Sequence, residues 1–162
     1  MSTSPSSTRP ANVLIAITYA VGALGIGIAF STLGDDPPSL TWAALIAVGG
    51  GGLLSFVRHA LFHRADAERM GWTGGESAFQ IEVGLANLAW GAYAVLAVVL
   101  DWGLRADAAG FLVFGLYMAA VSVFHVINLR GPNARPLPQV IPSIAFAALL
   151  LYVGFSGMSA AA

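Results

Sequence analysis

The chain has no cysteine, so disulfides, thiolate metal sites and cysteine nucleophiles are excluded. It has no lysine either; all seven cationic residues are arginine. The glycine-rich loop Gly71-Trp72-Thr73-Gly74-Gly75 lacks the lysine a phosphate loop needs. Nucleophile–base patterns and dinucleotide fingerprints are also missing. Charge of any kind is scarce. Only 9% of the residues are charged, against ~25% in ordinary globular domains. The net charge is −1, so there is no basic excess for nucleic acid.

What is present is apolar. The 162 residues are 57% hydrophobic. The runs Ala43–Phe56, Ile81–Leu100 and Phe111–Leu129 are too long for a small soluble domain to bury. A helix needs ~20 apolar residues to cross ~30 Å of hydrocarbon. Five spans are predicted, at 12–32, 40–63, 78–100, 108–130 and 138–157. Helices rather than strands are expected, because backbone polar groups in lipid must be satisfied within the segment. The fold class is therefore an all-α, polytopic transmembrane bundle of five spans, with four as the alternative. It forms one domain over 12–158, behind a Ser-, Thr- and Pro-rich tail at 1–11 that is expected to be disordered.

Breakers separate the spans: Gly34-Asp35-Asp36-Pro37-Pro38, the Gly71–Ser77 stretch, Asp101–Asp107 and the proline-rich 131–138 segment. Pro142 is expected in or near the first turn of the last helix, where proline is tolerated. Arg9, Arg58, Arg64, Arg69, Arg130 and Arg135 fall on one side of this layout and Arg105 alone on the other. The positive-inside rule then puts the N-terminus and the arginine-rich loops in the cytoplasm and the C-terminus outside. A bacterial inner membrane is the expected location. Ala23 with Gly27, Gly49–Gly52, and Gly84 with Gly91 are small-residue faces suited to close helix packing. They fit packing within the chain, a homo-oligomer, or a partner in a membrane complex.

Polar residues within the spans carry the functional expectation. Ser55, His59 and His63 lie on one stripe of the second span; Gln80, Glu82 and Asn87 begin the third; Ser122, His125 and Asn128 share a stripe of the fourth. At 1.5 Å per residue, His59, Glu82 and His125 each sit ~6–8 Å from the same end of their helices. One reading is a transition-metal site for Fe, Zn, Cu or Mn. Its ligands would be His59, His63, Glu82 and His125, oriented by Gln80, Asn87 and Asn128. A second is a structural or proton-handling network, with Glu82 paired to Arg58 or a histidine. A third is a site for the polar head of a quinone, a lipid or a small substrate.

The segment His59-Ala-Leu-Phe-His63 … Gly71-Trp72 … Phe79-Gln80-Ile-Glu82-Val83 … Ala86-Asn87-Leu88 resembles the core of an uncharacterised family of small bacterial and archaeal integral membrane proteins. His125 and the Gly131-Pro132-Asn133 turn continue the likeness, which covers about residues 50–145. Thr73 stands where the family usually has proline. The resemblance implies that His59, Gln80, Glu82, Asn87 and His125 are signature positions, and it implies no activity. By layout the chain is also distantly similar to DoxX-like four-helix membrane proteins, which are associated with oxidoreductase systems.

The function expected is thus a membrane protein with a buried His/Glu/Asn site near the cytoplasmic face. That site would bind a metal or a polar small molecule, in redox or proton transfer. The alternatives are an accessory or scaffold subunit and a transporter component.

Overall fold

The computed structural model describes residues 8–70, 77–129 and 137–162. Every regular element among them is helical. Helix α1 is Arg9–Thr32. Helix α2 is the 21-residue second span, Thr41–Leu61, and a short helix α3, His63–Arg69, follows it. Helices α4 (Ser77–Val99), α5 (Leu104–Ile127) and α6 (Leu137–Ala160) complete the chain. Five of the six are long and apolar enough to cross a membrane. Their outward faces are studded with bare Leu, Ile, Val and Phe side chains, as a lipid-facing surface requires.

The helix α3 was not expected; the sequence reading had a loop there. The last stretch of α2, Val57–Leu61, is wound as a π-helix. It closes with the Phe62 amide donating to Val57 O, 3.1 Å away. Phe62 then leaves helical geometry (φ −109°, ψ 27°) and α3 begins. A second π-wound stretch, Leu45–Gly50, runs into the glycine run of α2. Such wide turns occur mostly as short insertions, frequently at functional sites. Pro142 also departs from expectation: α6 begins at Leu137, so the proline lies inside the helix rather than in its first turn.

Small residues set the packing. A methyl added at Gly25 would lie 2.5 Å from the Ala47 amide nitrogen, and one at Gly52 would lie 2.8 Å from Gly91 Cα. These contacts seat α1 on α2 and α2 on α4. Helices α5 and α6 also pack closely and antiparallel, with Gly115 against Leu151 and Gly154 against Leu112. The turn from α4 into α5 uses Asp101 (φ 51°) and Gly103 (φ 83°), residue types that tolerate a left-handed backbone. The core joins Leu40, Ala43, Ala47, Val48, Ala108, Phe111, Leu150 and Val153. That core lies toward the Asp101 end of the bundle. Toward the other end the helices part around a cavity.

Candidate functional site

Asp66 anchors the site. It is the second buried residue of α3 and is 0% exposed. The break at Phe62 turns α3 so that this carboxylate meets the end of α2. Its Oδ1 accepts from Arg69 Nε at 3.0 Å and from Arg58 Nη1 at 3.5 Å. Its Oδ2 lies 3.0 Å from His59 Nδ1. Arg58 Nη2 in turn donates to His59 Nε2 at 2.8 Å. A guanidinium only donates, so Nε2 of His59 accepts and the ring proton sits on Nδ1, facing Asp66. The imidazole is therefore neutral. Burial alone pushes the Asp66 carboxyl up. The hydrogen bond from His59 and the charges around it, Arg58 foremost, outweigh burial and hold it at about 2, below its ordinary 3.8.

Above this cluster lies a cavity of about 190 Å³. An apolar cavity of ~150 Å³ is enough to admit benzene. Arg58 and His59 form part of its wall, facing Gln80, Asn87 and His125. Thr18 and Tyr19 of α1 and Ser143 of α6 add polar groups, with Tyr19 Oη and Ser143 Oγ 3.2 Å apart. The remaining wall is apolar and aromatic. Phe114 and Phe146 close the deep side with their ring centroids 5.8 Å apart. Trp90 stacks behind Phe114 and Tyr117, at 5.9 and 4.6 Å. Phe79 and Phe124 also line the cavity, yet both are exposed. The cavity therefore reaches the surface between α4 and α5.

Gln80 holds an unusual position. Its side chain is 3% exposed, it lines the cavity, and its Nε2 has no hydrogen-bond partner. Leaving a buried amide donor unmade costs about 1–3 kcal/mol. Asn87 is buried too, but its Nδ2 donates to Val83 O at 2.7 Å.

The structure thus gathers Arg58, His59, Gln80, Asn87 and His125 around one space. It does not gather the rest. Glu82 is exposed on the outer face of α4 and does not line the cavity. It follows Gln80 by two residues, ~200° around a helix, so an inward Gln80 turns Glu82 outward. His63 lies past the Phe62 break, and its Nδ1 is 3.0 Å from Ala60 O. The break rotates it off the stripe a continuous helix would have made. Asn128 caps α5, its Nδ2 donating to Phe124 O at 2.8 Å. Ser122 is buried away from the cavity, and its Oγ has no partner. The metal set of His59, His63, Glu82 and His125 does not come together. Among the described residues no three His, Asp or Glu side chains form a group that could hold a metal ion. The Gly71–Gly75 motif, Arg130, Arg135 and the Gly131–Asn133 turn lie outside the described residues.

Sequence reasoning missed Asp66, because it was assigned to a loop. A signal was there: Asp66 is seven residues after His59 and eight after Arg58, two helical turns on one stripe. Tyr19 and Ser143 were missed because ionisable and amide residues carried the expectation, and a hydroxyl in a membrane helix is a weaker signal.

Five apolar helices around such a cavity define the class: a polytopic integral membrane protein. Residues 11–152 match the model of a family of unknown function, DUF6790, and the chain belongs to that family. Searches of curated proteins and of solved structures each returned no match.

Proposed function

We propose that this protein binds a small amphipathic molecule inside the membrane, in the cavity between α1, α2, α4, α5 and α6. One observation carries this reading: a cavity of about 190 Å³ has Arg58, His59, Gln80 and Asn87 in one part of its wall and Phe114, Tyr117 and Phe146 in another. Ligand sites are mostly apolar hollows with a few placed polar groups. The mouth beside Phe79 and Phe124 suits a molecule arriving from the bilayer. On this reading Gln80, Arg58 and His59 receive the polar head, and Phe114, Tyr117 and Phe146 receive the apolar part. Asp66 and Arg69 hold Arg58 and His59 in place.

The arginine asymmetry supports placing this end on the cytoplasmic side of a bacterial inner membrane, with the C-terminus outside. Among the described residues no group of His, Asp or Glu could hold a metal ion, and the reading needs none. The test is mass analysis of what the protein carries when purified in mild detergent. One amphiphile per chain is expected, and it should be depleted in a Val83→Phe variant, which fills the cavity. A wild-type protein that carries none, and binds none when amphiphiles are added, would leave the polar wall as helix packing for an accessory subunit.

A further inference from the structure

We infer that the amphiphile this cavity receives carries a flat conjugated ring beside its polar group, as a phenol, an aryl ketone or a quinone does, and that the ring lodges against Phe114 and Phe146. The inference rests on the amphiphile reading above and adds the shape of the ligand.

Three observations converge on it. The first is which apolar residues make the wall. Tyr19, Phe79, Phe114, Tyr117, Phe124 and Phe146 all line the cavity, and they come from four helices. Leucine occurs in every span, yet among the described residues no leucine lines the cavity. A hollow that had only to take an alkyl chain would need no such gathering of rings.

The second is that the rings on the deep side are held at set angles. Phe146 is T-shaped to both Tyr19 and Phe114, at 74° and 79°, with centroids 6.1 and 5.8 Å away. Gly22 leaves room for it: a methyl added there would lie 2.7 Å from Phe146 Cε2. Phe114 is backed by Trp90, stacked at 28°, and by Gly51, where a methyl would lie 3.6 Å from Phe114 Cε1. Rings already fixed lose little freedom when a ligand arrives. Paired with a ligand ring, they gain affinity beyond the area they bury.

The third is size, together with the polar groups beside the rings. An apolar hollow of ~150 Å³ admits benzene, so about 190 Å³ takes one ring with an oxygen on it. Ser143 precedes Phe146 by one helical turn, and its Oγ lies 3.2 Å from Tyr19 Oη. Hydrogen-bonding groups thus stand next to the aromatic corner. An aliphatic tail leaves by the mouth beside Phe79 and Phe124.

The experiment uses the full chain in phosphatidylcholine nanodiscs. Two tritiated ketones, 1-phenylheptan-1-one and 1-cyclohexylheptan-1-one, are titrated separately, with empty discs subtracted. They share a carbonyl and a chain and differ in the ring, flat in one and puckered in the other. The phenyl ketone should bind about three- to tenfold tighter, the size expected of one aromatic pair. Phe146→Leu should bring the two level by weakening the phenyl ketone alone, and Phe114→Leu, on another helix, should do the same. The wild-type comparison needs no variant, so it decides the matter even if both leucine variants fail to fold. Equal binding of the two ketones, or tighter binding of the cyclohexyl one, would overturn the flat ring and leave the amphiphile reading standing. A phenyl preference that survives in both variants would overturn the Phe114–Phe146 corner as its seat. Saturable binding of neither ketone would overturn the amphiphile reading as well.

Discussion

The two ends of this bundle are built differently. At the Asp101 end, helices meet backbone to backbone. A methyl added to Gly157 would lie 2.5 Å from Leu40 and 2.9 Å from Ala108. Thr41 Oγ1 donates to the buried Asp107 at 3.3 Å, and Arg105 reaches Ala161 O at 2.8 Å. At the Arg58 end α2 and α4 still meet closely, a methyl at Gly84 lying 3.0 Å from the Ala60 amide nitrogen, but the other helices part around a cavity walled by bulky aromatics, beside a buried ionic cluster. Lipid offers little hydrophobic drive between helices, so close packing and hydrogen bonds must hold them. The closed end supplies the packing. The hollow end gives up part of it and is held also by Asp66. The difference teaches where stability and where binding reside.

The largest effect should come from the keystone of the hollow end. Asp66→Asn leaves Arg58 and Arg69 buried without their shared anion, and breaking such a pair costs about 3–5 kcal/mol. The unfolding midpoint in detergent should fall accordingly, or folded protein should be lost. Acid should do the same gradually. The Asp66 pKa is about 2 in the folded chain against 3.8 ordinarily. Its contribution is complete above 3.8 and lost as pH falls toward 2. Wild type should lose stability across that window, and Asp66→Asn should lose less.

Next comes the closed end. Gly25→Val places atoms against the backbone of α2, and overpacking of this kind costs about 1–3 kcal/mol or more. Val83→Phe, at the hollow end, also enlarges a side chain but has the cavity to grow into, and should leave the unfolding midpoint nearly unchanged. Equal damage from the two would erase the contrast between the ends. A smaller effect of opposite sign is expected at Gln80. Gln80→Leu removes an unmet buried donor and should raise the stability of ligand-free protein by about 1 kcal/mol, while weakening binding. The smallest is Glu82→Gln. Facing outward, it should change neither the unfolding midpoint nor the binding curve.

Much of this was legible in the sequence. The spans announced themselves because hydropathy alone decides what crosses lipid. Arg58, Gln80 and Asn87 stood out because a polar residue in an apolar run needs a reason. Depth was legible too, since it follows from rise per residue. Rotation was not. Gln80 and Glu82 share a depth and face opposite ways, and only neighbouring helices decide which of them turns inward. Nor was the Phe62 break legible: it depends on a π-wound turn that no local residue preference marks. That one irregularity removed His63 from the site and brought Asp66 into it.

The most direct test is to see a head group in place. Crystals of the protein grown with 2-bromododecanoate carry bromine beside the carboxylate, and its anomalous signal marks the head. The account expects a bromine peak inside the cavity, beside its polar wall. Bromine found only along the outer faces of α4 and α5, with the cavity vacant, would contradict it.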